Sequence, residues 1–303
     1  MSAYSVKKLK FTVMLGGPSA EREVSLRSGA AVATALRSLG HEVEELDPVP
    51  GCVRISKGTD LVFLALHGTY GEDGTVQAEL EQLGVPYTGC GPEASRLAFD
   101  KTLAKEKFLA ASVPTPRHVV IQSPAAHWPR GWNPPAVLKP ARQGSSVGLQ
   151  FVHHIEEWGA ALAESFRYDS LVLMEEKIEG RETTVGILAG QALPVVEVRV
   201  KMGVFDYRNK YTAGAAEHLC PAPFDAQTTA AIQSTALKAF EAIGGRDYSR
   251  VDVMVRPNGD PVALEVNTLP GMTEVSIFPD AAAAAGLTYA QVCQKMAELA
   301  LEH

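Results

Sequence analysis

The chain of 303 residues is long enough for two or three packed subdomains, and 46% of its residues are hydrophobic. No apolar run reaches the length needed to span a bilayer, and the lysines that follow Met1 precede no signal-peptide core. The formal net charge of −7 disfavours nucleic acid as the main partner. We therefore expect a cytoplasmic protein that binds neither membrane nor nucleic acid.

The four cysteines are scattered along the chain, at Cys52, Cys90, Cys220 and Cys293. None of them forms a Cys-x-x-Cys pair, so the sequence predicts neither a zinc site nor a disulfide framework. Reduced thiols are typical of the cytoplasm.

The first third of the chain alternates predicted strands with helical patterns. Apolar runs at Phe11–Leu15, His41–Leu46 and Leu61–Leu66 predict strands, and apolar spacing over Glu23–Leu39 predicts a helix. The third strand opens into a glycine-rich loop, His67–Gly74. Strand–loop–helix units of this kind predict an α/β fold with a parallel sheet.

Farther along, one helix is predicted over Pro92–Ala111, followed by a linker at Pro114 and Pro116. A second long helix is predicted over Asp225–Ile243. The polar stretch Lys201–Glu217 has no clear periodicity, and we expect it to form a mobile lid. The remaining strands are predicted at Ala136–Lys139, Leu149–His153, Leu171–Glu176, Thr183–Leu188 and Pro194–Val200.

A hairpin over residues 250–267 carries the strongest chemical signal. Asn258–Gly259 is a turn dipeptide, and a turn symmetric about it places Asp252 opposite Glu265 and Arg250 opposite Asn267. Period-two alternation puts these four side chains on one face and excludes Leu264 and Val266 from it. Facing carboxylates repel, and a hard divalent cation with oxygen ligands relieves the repulsion. A solvated polar face would show the same alternation, so both interpretations stay open at this point.

The loop over residues 139–148 joins two strands and is rich in glycine and serine. Such a loop can cradle phosphate with its backbone N–H groups, although an ordinary tight connection has the same composition. It contains no Gly-Lys-Ser/Thr, and Gly16–Gly17 lacks the Gly-x-Gly-x-x-Gly pattern, which disfavours a P-loop and a dinucleotide-binding dehydrogenase. The run over residues 175–182 carries alternating charges between apolar strands and could belong to a nucleotide site. A solvated sheet edge with charged residues would show the same pattern.

Seven segments in this order resemble D-alanine–D-alanine ligases of the ATP-grasp superfamily. They are LGGPSAEREVSLRSG (15–29), HGTYGEDGTVQ (67–77), KPARQGSSVG (139–148), EGRETTVG (179–186), FDYRNKYTAG (205–214), RVDVMV (250–255) and EVNTLPGMTEVSIFP (265–279). The resemblance covers nearly the whole chain, and seven ordered motifs make it specific.

The resemblance implies an N-terminal parallel-sheet, Rossmann-like subdomain followed by a two-part ATP-grasp region. The three parts are expected at residues 1–91, 92–184 and 185–303, with the metal site and the lid in the last. The implied reaction is the ATP-dependent ligation of two D-alanine molecules to D-alanyl-D-alanine, through a D-alanyl phosphate. The dipeptide is used in the synthesis of peptidoglycan precursors. Two Mg²⁺ ions, replaceable by Mn²⁺, and a homodimer are implied as well.

Residue roles follow from the same resemblance. The nucleotide side, which contacts phosphate, adenine or ribose, is implied to comprise Lys101, Lys139, Ser146, Glu176, Lys177, Ile178, Glu182, Phe205 and Leu264. The implied metal ligands are Asp252, Glu265 and Asn267, in agreement with the hairpin register.

On the substrate side, Glu21 is implied to bind the ammonium of the first D-alanine, supported by Ser145 and by Tyr211 of the lid. The other implied residues are His67 near the first carboxylate, Lys210 on the lid, Arg250 and Gly271 at the oxyanion, and Ser276 and Ile277 at the second D-alanine. The chain departs from many relatives at Glu274–Val275, at Ile277 and at Arg142–Gln143, which bears mainly on the second D-alanine subsite.

Three alternatives remain from the sequence. A ligase that forms a D-alanyl-D-lactate ester is disfavoured by Tyr211, since ester-forming relatives tend to lose this tyrosine. Another ATP-grasp carboxylate–amine ligase would share the nucleotide and metal residues. A nucleotide-binding module without catalysis is disfavoured by the intact Arg250 and the metal-ligand set.

Overall fold

The computed structural model describes residues 8–200 and 216–303. Phe205, Lys210 and Tyr211 lie outside the described residues, as does the predicted lid apart from its last two residues. Within the described ranges no helix is long and apolar enough to cross a membrane.

The N-terminal part contains the predicted parallel sheet. Strands β1 (Lys10–Met14), β2 (Glu42–Leu46) and β3 (Leu61–Leu64) pair in the order β2-β1-β3. Helix α1 (Arg22–Ser38) follows β1, and α2 (Thr75–Leu83) follows the glycine-rich loop. Because the strands are parallel, their carboxyl ends present the loops after β1 and β3 at one edge of the sheet.

The helix predicted over Pro92–Ala111 is two helices, α3 (Pro92–Phe99) and α4 (Lys101–Ala110), so that prediction is wrong in one detail. Asp100 has extended backbone dihedrals, and its carboxylate accepts the N–H groups of Thr102 and Leu103. This side-chain cap starts a new helix within a continuous apolar pattern.

The central part is an antiparallel sheet of β4 (His118–Ile121), β5 (Ala136–Pro140), β6 (Gln150–Val152) and β7 (Val172–Glu176). The strand order is β4-β7-β5-β6, and helix α5 (Trp158–Ser165) packs on one face through a separate apolar cluster. The glycine/serine loop connects β5 with the edge strand β6.

The C-terminal sheet runs in the order β11-β10-β8-β12-β13, with the short β9 paired to β8. Its strands are β8 (Arg181–Leu188), β9 (Gln191–Ala192), β10 (Val196–Val200), β11 (Ala216–Leu219), β12 (Tyr248–Val255) and β13 (Pro261–Asn267). The helices described in this part are α6 (Ala226–Ala242), α7 (Ile277–Ala284) and α8 (Tyr289–Ala300). The division expected after residue 184 would fall inside β8, and the three-part boundaries stay a prediction.

Helices α7 and α8 close the chain against the N-terminal sheet. Phe278 of α7 and Met296 of α8 belong to the same buried cluster as Phe11 of β1 and Leu36 of α1. The first and last parts of the chain therefore share one core, which holds the loops after β1 and β3 close to the hairpin β12–β13.

The hairpin register places Asp252 opposite Glu265 and Arg250 opposite Asn267, as predicted. The reason differs from the one assumed. The turn is symmetric about Asn258, since Val255 pairs with Pro261, and a bulge after Asp252 then shifts the ladder by one residue. The extra residue is Leu264, so the two irregularities together restore the predicted pairing.

Candidate active site

A cavity of about 470 Å³ lies between the central sheet and the C-terminal sheet. Val137 and Phe151 of the central sheet form part of one wall, and Met254 of β12 forms part of the opposite wall. Most residues predicted for the nucleotide side line this cavity, namely Lys101, Lys139, Ser146, Glu176, Lys177, Ile178, Glu182 and Leu264. The cavity is mixed in character, with apolar walls, several lysines and several carboxylates.

Leu264 lines the cavity next to Glu265, although period-two alternation assigned them to opposite faces. That expectation is wrong because of the bulge, which turns two consecutive side chains to the same side. An apolar surface and a carboxylate thus enter the cavity from adjacent positions of one strand.

The carboxylates of the hairpin are held by a polar network. Arg250 donates from Nε and Nη2 to the two oxygens of Asp252, both at 2.9 Å, and Thr184 Oγ1 donates to Asp252 Oδ1 at 2.7 Å. Asn267 Nδ2 donates to Asp252 Oδ2 at 3.3 Å. Asp252 keeps only 13% of its side-chain surface exposed, so its orientation is well determined.

Glu265, opposite Asp252 on the ladder, lies 3.4 Å from Lys101 Nζ through its Oε2. Among the described residues no three His, Cys, Asp or Glu side chains gather into a metal cage. Two carboxylates and one amide oxygen fit Mg²⁺ none the less, because this ion takes one or two protein carboxylates and completes its shell with phosphate and water.

The glycine/serine loop reaches from the cavity to the N-terminal part. Ser145 and Ser146 both have positive φ, 49° and 58°, a left-handed conformation that residues other than glycine rarely adopt. Ser145 Oγ donates a short hydrogen bond to Glu21, which immediately precedes helix α1. Ser145 therefore connects the nucleotide-side cavity with a second group of residues around Glu21.

Two glycines enclose the carboxylate of Glu21. A Cβ at Gly68, where φ is +69°, would lie 2.7 Å from Glu21 Oε2, and a Cβ at Gly144 would lie 2.9 Å from the same atom. Side chains at these positions would displace the carboxylate. The glycines of two separate loops thus leave room for a carboxylate that points between them.

His67 is buried behind Glu21 and takes part in a polar chain toward the C-terminal part. Ser28 Oγ lies 3.2 Å from His67 Nε2 and accepts the Met272 N–H at 3.2 Å. Burial lowers the pKa of His67, against the nearby charge of Glu21, which raises it. The lowered pKa favours the neutral imidazole of His67, which takes part in hydrogen bonding with Ser28.

Gly271 stands at the start of the loop that leads into α7. A Cβ at Gly271 would lie 2.8 Å from Ser276 Oγ, and this hydroxyl is also 3.0 Å from the Thr273 N–H. Ile277 is the first residue of α7 and packs against the core shared with the N-terminal sheet. The structure thus places Gly271, Ser276 and Ile277 in one compact loop-to-helix segment.

Glu72 was not singled out from the sequence, although it belongs to the glycine-rich loop. It accepts the Gly68 N–H at 2.7 Å. Burial, followed by the charge of Glu21, raises the pKa of Glu72 to about 8, although the Gly68 N–H and Arg250 lower it. A protonated carboxyl beside Glu21 avoids placing two negative charges together.

We expect the free energy of unfolding to fall as the pH rises from about 4.5, the ordinary pKa of Glu72, to about 8. Between these values the folded chain keeps a proton on Glu72 that the unfolded chain has released, so raising the pH favours unfolding. Glu72→Gln should flatten this slope in urea titrations of the unliganded protein. Glu44→Gln, at an exposed position, should keep the wild-type slope. Equal slopes for both variants would contradict the assignment.

Two family models match the chain. The model for the D-ala D-ala ligase C-terminus covers residues 123–298, more than half of the chain, and the model for the D-ala D-ala ligase N-terminus covers residues 38–90.

Relatives match over almost the full length. A D-alanine–D-alanine ligase of Methylacidiphilum infernorum is 47% identical, covering 95% of this chain and 94% of its own. A D-alanine–D-alanine ligase of Syntrophotalea carbinolica is 44% identical, covering 98% and 97%. The crystal structure of a Bacillus anthracis D-alanine–D-alanine ligase complexed with ATP superimposes with a TM-score of 0.84 at 30% identity, covering 97% of this chain and 98% of that one. The fold, the arrangement of the cavity and these matches together show that the chain belongs to the D-alanine–D-alanine ligase family.

Proposed function

We propose that the protein joins two D-alanine molecules into D-alanyl-D-alanine with hydrolysis of ATP to ADP and phosphate, in the supply of peptidoglycan precursors. The observation that carries the proposal is the hydrogen bond from Ser145 to Glu21. It connects a cavity lined by lysines and facing carboxylates to a second carboxylate that is enclosed by glycines. A nucleotide side and an amino-acid side therefore meet at one loop.

The chemistry requires activation of a carboxylate. A free carboxylate is a poor acyl donor, and transfer of the ATP γ-phosphoryl group to the carboxylate of the first D-alanine creates an acyl phosphate with a good leaving group. Lys101 and Lys139 offer positive charge to the phosphates from the cavity wall. Ile178 and Leu264 offer apolar surface to the adenine, and Glu182 offers a carboxylate to the ribose.

We propose that Asp252, Glu265 and Asn267 hold two Mg²⁺ ions, replaceable by Mn²⁺. When bound, these ions neutralise charge on the β- and γ-phosphates. The observation in favour is the set of oxygen donors: two carboxylates face each other across the β12–β13 ladder at the cavity wall, and the Asn267 amide lies beside Asp252.

The first D-alanine has an ammonium group that matches the carboxylate of Glu21. Ser145 holds this carboxylate from one side, and Gly68 and Gly144 leave space along it. We assign the carboxylate of the first D-alanine to the neutral imidazole of His67, whose pKa burial lowers against the charge of Glu21.

The second D-alanine attacks the acyl phosphate with its amine, and negative charge develops on the carbonyl oxygen. Arg250 and the N–H of Gly271 are proposed as donors to this oxyanion, a role that needs preorganised groups. Ser276 and Ile277 are proposed to contact the second D-alanine. Exclusion of water protects the acyl phosphate, and we assign this task to residues 201–217, which include Phe205, Lys210 and Tyr211.

The main alternative is a ligase that forms a D-alanyl-D-lactate ester, with other ATP-grasp carboxylate–amine ligases next. Tyr211 favours the dipeptide, because its hydroxyl is expected to join the Ser145–Glu21 pair when the lid closes. A homodimer and a cytoplasmic location complete the proposal on the strength of family membership.

We expect the purified protein, incubated with ATP, Mg²⁺ and D-alanine, to release one phosphate for each dipeptide detected by mass spectrometry. D-Lactate added in competition with D-alanine should yield little ester. L-Alanine serves as the matched control and should support neither product nor phosphate release. Nucleotide binding without turnover would instead indicate a binding module, and ester as the main product would indicate the depsipeptide ligase.

A further inference from the structure

Three charged side chains meet beneath the cavity, and only one of them was expected to contact ATP. Glu175 of β7 is 1% exposed and receives Lys105 Nζ on Oε1 and Lys139 Nζ on Oε2, each at 2.5 Å. Lys105 of α4 is equally buried, whereas Lys139 of β5 keeps 14% of its side chain exposed and lines the cavity. Glu175 thus bridges a lysine in the interior and a lysine at the surface of the site.

The bridge continues to the hairpin strand β13. Lys105 Nζ donates to Thr115 Oγ1 at 2.6 Å, and this hydroxyl donates to the Ala263 carbonyl at 2.9 Å. The neighbouring Pro114 carbonyl accepts the Ala263 N–H at 2.8 Å. Ala263 directly precedes Leu264 and Glu265, the two consecutive residues that the bulge turns into the cavity.

The charge state of the cluster follows from its burial. Burial lowers the pKa of Lys105 to about 8, against the attraction of Glu175. Although burial raises the pKa of Glu175, the two ammonium groups lower it to about 2. Glu175 is therefore ionised near neutral pH, and it orients Lys139 through an ion pair that is shielded from water.

We propose that Glu175, Lys105 and Thr115 are positioning residues that hold the Lys139 ammonium at a set distance from Glu265, across the site that receives the ATP phosphates. The polar chain runs from Lys139 through Glu175, Lys105 and Thr115 to the strand that carries Glu265. It joins the central sheet to the C-terminal sheet, so it fixes the spacing between the cationic and anionic walls of the cavity. The inference rests on the proposed ATP-dependent function.

A purely electrostatic role and a positioning role predict opposite effects for Glu175→Gln. The substitution removes a negative charge beside two ammonium groups, so simple attraction would tighten the binding of a polyphosphate. Loss of orientation would weaken it, because Lys139 would no longer be held toward the phosphates. We expect about tenfold weaker binding of a non-hydrolysable ATP analogue with Mg²⁺, measured by calorimetry, with an unchanged KM for D-alanine.

Thr115→Val provides a second variant that keeps the side-chain shape and breaks the chain between Lys105 and Ala263. We expect about three- to fivefold weaker analogue binding, restored to within twofold by Thr115→Ser. If Glu175→Gln does not fold, the two Thr115 variants still test whether the polar chain affects analogue binding.

Glu197→Gln is the matched control. Glu197 is 4% exposed and bridges Arg181 and Arg199, so it resembles Glu175 in being a buried glutamate between two cations. Unlike Glu175, it does not belong to the cavity lining. We expect a lowered Tm with analogue binding within twofold of wild type. Unchanged or tighter binding in Glu175→Gln, or equal weakening in Glu197→Gln, would overturn the inference. Absence of analogue binding by the wild-type protein would instead refute the proposed function.

Discussion

Replacing Asp252 by asparagine should lower turnover at saturating ATP and D-alanine about a thousandfold while leaving the fold intact. The carboxylate offers charge to a divalent cation, and loss of metal stabilisation worth about 4 kcal/mol corresponds to that factor. An asparagine keeps an oxygen that can still accept from Thr184, so local packing is preserved. The measurements are kcat and the apparent affinity for Mg²⁺, obtained by titrating the metal.

Asp260→Asn is the control for this prediction. Asp260 is exposed and lies in the turn of the same hairpin, hydrogen-bonded to Asn258. It should leave kcat and the Mg²⁺ dependence unchanged. If Asp252→Asn lost several degrees of Tm in proportion to its activity, Asp252 would have a structural role and the metal assignment would fail.

Arg250→Lys should lower the rate of dipeptide formation about 10²- to 10³-fold, which is the usual effect of removing one oxyanion donor. Lysine keeps the positive charge but loses the planar fork that donates two hydrogen bonds to Asp252. The acyl phosphate would still form and would be lost to water more often. We therefore expect the ratio of ADP to dipeptide to rise above one, measured in the same reaction by chromatography and mass spectrometry.

Arg246→Lys is the matched variant, because Arg246 donates to the Gly89 carbonyl and packs over Tyr87 away from the cavity lining. It should keep the ADP-to-dipeptide ratio of the wild type. A ratio of one in Arg250→Lys, with both products slowed equally, would mean that Arg250 acts before acyl transfer and not on the oxyanion.

Sequence patterns predicted the elements of the fold well where the local signal was strong. The parallel strands β1 to β3 and helix α1 follow from apolar periodicity. Of the predicted residues on the cavity wall, Lys139, Ser146 and Glu182 lie within the seven motifs, whereas others, such as Lys101 and Leu264, lie outside them. The break at Asp100 escaped prediction because the apolar pattern continues through it, and only a side-chain cap ends one helix and begins another.

The hairpin shows a different limit. The pairing of Asp252 with Glu265 was predicted from an assumed two-residue turn, and it holds because a longer turn is offset by a bulge at Leu264. The bulge at Leu264 contains no glycine that would mark it in the sequence, so the position of Leu264 in the cavity could not follow from alternation. Glu175 and Lys105 were missed for a related reason, since their contact joins a strand and a helix far apart in the chain.

The bulge also separates the register of the two hairpin strands from the length of the turn between them, two properties that are usually linked. Strand β12 is aligned on its other side by regular pairing with β8, where Asp252 lies opposite Thr184. The facing carboxylates are thus held in register by the pairing of β12 with β8 and by the bulge at Leu264, and not by the turn alone. A change in the length of the turn should therefore leave Asp252 opposite Glu265 as long as the bulge and the pairing with β8 are kept, although it would alter the number of residues between the two acids.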